Sequence, residues 1–181
     1  FAEKENMAED TENKLVLCIE KVNKDIYKKA VTTRGLIGMG TTLTLAVIAN
    51  NKVSIAHVGD TRAYILSDKL NQITDDHSYV EELKRMGRIT EEEAKTHPGR
   101  NQLTRAVGTE DSVKADVYTK PIESGNILLL TSDGLTNMLD DERIEEILKE
   151  SPGLSEAMEE MVYEANDNGG PDNITVIALK V

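Results

Sequence analysis

The sequence predicts an α/β protein of the α+β kind, with antiparallel strands in the middle of the chain and amphipathic helices at both ends, layered as a sandwich. Three observations predict it. Runs rich in β-branched residues, separated by turns of two or three residues, occupy positions 41–66, and strands joined so tightly must run antiparallel. Apolar residues recur at helical spacing, with charges between them, over positions 12–30 and 141–166. None of these helices is apolar all round, so each belongs on the outside of a sheet with one face turned inward.

Taken in order, Leu15, Ile19, Val22 and Ile26 make Glu12–Ala30 an amphipathic helix that covers a flat surface, while positions 1–10 are polar and read as a frayed helix start. Val31–Gly40 is a loop containing Gly35, Gly38 and Gly40. Thr41–Ala49 is a strand, Asn50-Asn51 a turn, and Lys52–Gly59 returns as the second strand of a hairpin. Asp60–Leu66 reads as a third strand in the same antiparallel run, with Ser67-Asp68-Lys69 as the next turn. Tyr79–Met86 and Thr90–Thr96 are short helices, the second with Thr90 and Glu93 placed for a capping box. Pro98-Gly99 ends it, and Leu103–Val107 starts another helical turn. Ala115–Lys120 and Asn126–Thr131 are strands, Asp141–Glu150 and Ser155–Asn166 helices, and Asn173–Val181 a last strand.

A length of 181 residues suits one domain with a real core. Aromatics amount to 3% with no Trp, so that core is built from Leu, Ile, Val, Ala and Met. The formal net charge of −12 repels phosphate backbones and anionic lipid, which argues against nucleic-acid and membrane partners. Cys18 is the single cysteine, excluding an internal disulfide and any Cys-based zinc cluster; its place in an apolar helical stretch predicts a buried, inert thiol. No apolar run approaches the ~18 residues of a membrane span, and no signal peptide is visible, so the expected compartment is the cytoplasm. The chain starts on Phe1 rather than Met, which reads as a fragment or a processed product.

Two motif-like stretches fail on inspection. Gly35 to Gly40 has the spacing of a Walker A loop, but Thr41 stands where lysine must be, and a helix precedes the loop where a strand belongs. Asn166 to Asp172 has the acid and amide content of a calcium loop, but the positions do not align and Pro171 interrupts them. The three histidines lie far apart in sequence without a nucleophile signature, so each reads as structural.

A set of aspartates in one recurring context remains. Asp60 follows Val58-Gly59 at a strand end, Asp133 follows Leu128–Ser132 and precedes Gly134, and Asp172 sits in Gly169-Gly170-Pro171-Asp172-Asn173 before the last strand. Singly, each reads as an Asx-turn residue. Gathered on one rim of a sandwich, such carboxylates need a cation to offset their repulsion, and oxygen-only ligands select hard ions such as Mg²⁺ or Mn²⁺.

Gly38-Met39-Gly40-Thr41-Thr42, His57-Val58-Gly59-Asp60-Thr61-Arg62, Thr131-Ser132-Asp133-Gly134-Leu135 and Gly170-Pro171-Asp172-Asn173-Ile174-Thr175 occur in this order along the chain. The set resembles the successive signatures of the type-2C metal-dependent protein phosphatases (the PPM family). Asp76-His77-Ser78, Gly87-Arg88-Ile89-Thr90, His97-Pro98 and Leu103-Thr104-Arg105-Ala106 resemble the flap of the bacterial branch. The resemblance implies a four-layer α-β-β-α sandwich of two antiparallel sheets flanked by helices. It implies one phosphatase domain over positions 1–181, with 76–107 as a flap subdomain. The implied activity is hydrolysis of phosphoserine and phosphothreonine in proteins, by a water activated between two Mn²⁺ or Mg²⁺ ions and without a covalent phosphoenzyme. By resemblance Asp133 and Asp172 ligate one metal of the central pair, and Asp60 with Asp133 holds a third. The implied partners are phosphoprotein substrates of a bacterial serine/threonine kinase.

The family's opening strands carry a phosphate-binding arginine, a metal-bridging Asp-Gly and a general-acid histidine, and these N-terminal strands have no counterpart in the sequence. The chain by itself is therefore expected to be weakly active or inactive. The alternative is a non-catalytic phosphatase-like module for binding or regulation, which has no need for Asp60, Asp133 and Asp172.

Overall fold

The apolar stripe of the first helix finds its sheet. The structure, a computed structural model, describes residues 2–181, with side chains from residue 10 onward. The chain divides into two units, Phe1–Asp60 with Asp76–Pro121, and Thr61–Asp75 with Ile122–Val181.

In the first unit, helix α1 runs Ala2–Thr32, starting at Ala2 rather than Glu12. Leu15 and Ile19 are buried, and with Val22 and Ile26 they pack on Ala56, Val58, Leu43, Leu45 and Val117. The strands beneath are β1 (Leu43–Ala49), β2 (Lys52–Val58) and β5 (Asp116–Pro121), antiparallel in the order β1-β2-β5. Asn50 and Asn51, with φ of 52° and 58°, form the predicted β1–β2 turn; asparagine tolerates this left-handed region better than other side-chain-bearing residues. Pairing on both sides makes β2 the central strand, and every residue from Val53 to Val58 is buried. Buried Asn23 of α1 reaches the loop before β5, accepting from Gly108 N at 2.6 Å and donating to Glu110 O at 3.0 Å.

Helices α2 (Tyr79–Arg85) and α3 (Glu91–Thr96) follow the prediction closely. The Thr90 hydroxyl accepts from Glu93 N at 3.2 Å while the Glu93 carboxylate accepts from Thr90 N at 2.8 Å, closing the capping box. The segment Leu103–Val107 is not helical. Its backbone is occupied by bridges from Leu103 to Ser78 and from Val107 to Thr41, which leave no i to i−4 ladder to build.

In the second unit the sheet order is β4-β3-β6-β7, formed by β3 (Arg62–Leu66), β4 (Leu70–Gln72), β6 (Ile127–Thr131) and β7 (Val176–Lys180), all antiparallel. Helices α4 (Asp133–Thr136), α5 (Asp141–Glu150) and α6 (Leu154–Asp167) supply its core. Ile144, Ile147 and Leu148 of α5, with Ala157, Met161 and Ala165 of α6, cluster on Tyr64, Leu66 and Leu129. Each large apolar side chain buried this way contributes about 1.5–3 kcal/mol. Tyr64 also donates its hydroxyl to Asp141 at 3.0 Å, and Leu70 N donates to Glu145 at 2.7 Å, tying β3 and β4 to α5.

Two further expectations are overturned. β3 does not continue the β1–β2 run but joins a different sheet, because β2 already has both neighbours and Gly59, at φ +120°, turns the chain away after Val58. Cys18 is exposed, one position off the Leu15–Ile19 stripe and so rotated out of the helix–sheet contact. The short β4 and α4 were not predicted. Among the described residues, no helix is long and apolar enough to cross a membrane.

Candidate metal centre

Asp133 is the first residue of α4, directly after β6, and Asp172 lies in the loop leading to β7. The paired strands bring the two stretches side by side, in the register Thr131 to Val176. Hydrogen bonds then lace them together beyond the ladder. The Ser132 hydroxyl donates to Asn173 O at 3.1 Å and accepts from Thr175 N at 3.0 Å, and the Thr131 hydroxyl donates to Thr175 O at 3.1 Å. Gly134 completes the close approach. A Cβ there would collide with the Asn173 carbonyl, its carbon lying at 2.9 Å. The residue after Asp133 and the residue after Asp172 thus touch through backbone, an approach that only glycine permits.

Asp133 is half-buried and accepts from Asn137 Nδ2 at 3.3 Å, while Asp172 is exposed and accepts from its neighbour's amide, Asn173 N, at 2.7 Å. The shared oxygen chemistry fits a hard divalent cation, for which two carboxylates supply part of an octahedral shell and water or phosphate oxygens the rest. Among the described residues no group of three or more His, Cys, Asp or Glu side chains is gathered to hold a metal.

Asp60 belongs to the first unit and follows Gly59. At Gly59 a Cβ would meet Thr42, whose Cα lies at 3.0 Å, so the Gly38–Thr42 motif and the His57–Arg62 motif meet by backbone contact. Both backbone groups of Gly59 are held by one residue: its N–H donates to His77 Nδ1 at 3.0 Å and its carbonyl accepts from His77 N at 2.7 Å. His77 Nε2 faces Asp116 at 3.0 Å, and Arg105 donates twice to that carboxylate, at 2.8 Å each. A backbone N–H can only donate, so Nδ1 carries no proton and the neutral ring donates from Nε2. Burial pushes the His77 pKa down in keeping with this, and the Arg105 hydrogen bonds, with the His77 bond, hold the Asp116 carboxyl well below the usual carboxylate range.

Sequence reading missed this network. The rings of His57 and His77, twenty positions apart, pack at a 41° tilt with centroids 4.7 Å apart, and Asp116 stands opposite His57 in the β2–β5 register. Asp76-His77-Ser78 was visible as a motif, but nothing in its spacing pointed to Asp116 or Arg105.

The architecture is matched by solved phosphatase structures. Stp1 from Staphylococcus aureus superposes with a TM-score of 0.89 at 38% identity, over 94% of this chain and 67% of that one. The catalytic domain of PstP, solved with two manganese ions, superposes with a TM-score of 0.83 at 36% identity, over 92% of this chain and 69% of that one. In sequence the chain is 46% identical to the serine/threonine phosphatase Stp of Listeria innocua over 174 residues, 96% of this chain and 69% of that protein. It is 44% identical to the protein phosphatase PhpP of Streptococcus pneumoniae over 145 residues, 80% of this chain and 59% of that protein. Fold and relatives together define the class as that of the protein serine/threonine phosphatases. Residues 2–174 match the family model Protein phosphatase 2C, and the chain belongs to that family.

Proposed function

We propose that this chain forms part of a centre that hydrolyses phosphoserine and phosphothreonine esters of proteins with a divalent cation, Mn²⁺ or Mg²⁺, held in part by Asp133 and Asp172, the family's opening strands supplying the remainder. The observation that supports the reading is the backbone contact between Gly134 and Asn173, the residues that directly follow Asp133 and Asp172. When bound, such an ion supplies Lewis-acid polarisation of phosphoryl oxygens and acidifies water. The chain's own contribution is orientation. Ser132 and Thr131 lock the β7 lead-in against the β6 end, which limits how far the backbone carrying either aspartate can shift. Asp60, clamped through Gly59, is read as a ligand of a further, weaker cation. The segment 76–107 is read as a flap that selects phosphoprotein substrates, supplied by a bacterial serine/threonine kinase in the cytoplasm.

The test, made on the chain joined to the family's opening strands, is release of phosphate from a phosphothreonine peptide with Mn²⁺, and with excess chelator, alongside calorimetric Mn²⁺ titration. Asp133→Asn and Asp172→Asn should each lose Mn²⁺ binding and turnover together. Retention of both by either variant overturns the assignment.

A further inference from the structure

We propose that His77 is a positioning residue for the metal chemistry, holding the backbone at Gly59 so that Asp60 presents its carboxylate in a fixed direction. The inference rests on the reading of Asp60 as a cation ligand. A metal-ligating side chain is only as well aimed as the backbone that carries it, and Gly59, the preceding residue, is the most permissive residue type available. Its φ of +120° and its contact with Thr42 require glycine, so local sequence cannot supply stiffness. His77 supplies it from outside. One residue accepts the Gly59 N–H through its ring and donates its own N–H to the Gly59 carbonyl, fixing both peptide planes that flank Gly59.

The ring itself is held on its other edge. Nε2 donates to Asp116, and Asp116 is fixed by two bonds from Arg105 and by its place at the start of β5. His57 packs on the ring, and its Nδ1 is engaged by the Thr44 hydroxyl at 2.8 Å. The chain of contacts from Arg105 through Asp116 and His77 to Gly59 lies wholly within the first unit. A histidine that only filled space would need neither the paired Gly59 bonds nor the carboxylate behind it. Outer partners of metal ligands commonly change metal affinity by about 10–100-fold when removed.

The two nitrogens separate the roles experimentally. An asparagine at position 77 places an amide oxygen near the Nδ1 position and can still accept from Gly59, whereas a glutamine places its amide near Nε2 and abandons that bond. Mn²⁺ binding would be followed by the loss of the free-ion electron paramagnetic resonance signal, with folding checked by urea denaturation. Asp60→Asn comes first: if it leaves Mn²⁺ binding unchanged, the reading of Asp60 is wrong. Where Asp60→Asn weakens binding, His77→Gln should weaken the same site about tenfold and His77→Asn should restore it to within about threefold. The double variant His77→Gln with Asp60→Asn should bind no worse than Asp60→Asn alone, because the histidine acts through that aspartate. Equal affinity in His77→Gln and the parent, or additive losses in the double variant, overturns the positioning role while leaving Asp60 as a ligand. If His77→Gln does not fold, Asp116→Ala replaces it. That variant frees the ring from its anchor and should weaken the Asp60-dependent site in the same direction; unchanged affinity there counts against the proposal.

Discussion

Gly134→Ala probes the closest approach in the candidate centre. The added methyl would lie 2.9 Å from the Asn173 carbonyl carbon and 3.4 Å from Ile174 Cγ1. Carbon atoms in good contact sit about 3.5–4.0 Å apart, so the loop carrying Asp172 must retreat from α4 by about 0.6–1 Å. Overpacking of this kind costs about 1–3 kcal/mol, and alanine in a helix returns about 1 kcal/mol over glycine, leaving a net loss of about 0–2 kcal/mol. The functional effect is larger, because ligand distances in such sites are held to about 0.2 Å. Urea denaturation reads both effects. At an Mn²⁺ concentration of about 100 times the parent's Kd, binding stabilises the parent by about 2.7 kcal/mol; a hundredfold weaker site leaves only about 0.4 kcal/mol. The expected pattern is a modest drop in apo stability and near disappearance of the Mn²⁺ increment. A variant as stable as the parent that keeps the full increment would refute the reasoning.

Other perturbations act elsewhere. His77, with its pKa lowered in the folded chain, takes up a proton less readily than in the unfolded chain, so stability is full above the ordinary value of 6.5 and falls as pH drops below it; Asp116, depressed from 3.8, adds a second loss below that value. Around His77 stand Asp116, Arg105, Asp76 and His57, and His77→Gln should flatten the upper window in urea midpoints taken across it, an unchanged slope counting against this. Asn23→Ala strips partners from Gly108 N and Glu110 O, and should lower the unfolding free energy by about 1–3 kcal/mol in the same assay; a loss under about 0.5 kcal/mol would show that water replaces the amide. In the chain joined to the family's opening strands, exchanging segment 76–107 for that of a relative, with His77 and Arg105 kept, should change the ranking of phosphoprotein substrates while p-nitrophenyl phosphate turnover stays similar. Equal losses on both substrates would place the segment in the chemical step.

Much of the local structure was legible because local physics decides it. The stripe Leu15, Ile19, Val22 and Ile26 needs only a 3.6-residue period, the Thr90–Glu93 box closes over three residues, and Asn50-Asn51 tolerates the positive φ its turn requires. Pairing partners are non-local, and there the reading failed. The short step from Val58 to Arg62 suggested a hairpin, but β2 takes β5 as its second neighbour and β3 takes β6, choices made by burial more than fifty residues away. Cys18 illustrates a finer limit: an apolar-looking helix does not reveal its burial face to within one residue when Leu17, Cys18 and Ile19 are consecutive. Of the candidate centre, Asp133 and Asp172 could be named from strand-end context, whereas the Arg105–Asp116–His77 support could not, since it joins two loops and a strand with no shared spacing.

The bonds between Ser132 and Asn173 span 41 residues of chain, and that span has a kinetic meaning. Closing such a loop costs about 3 kcal/mol of chain entropy, recovered only once α5 and α6 have folded and β7 has zipped onto β6. Before that moment the two aspartates are independent, and a weakly chelating coil has no reason to capture a cation. On the proposed assignment, ion capture at this pair is expected late in the maturation of the second unit, and a time-resolved Mn²⁺ signal during refolding would serve as a clock for the docking of its final strand.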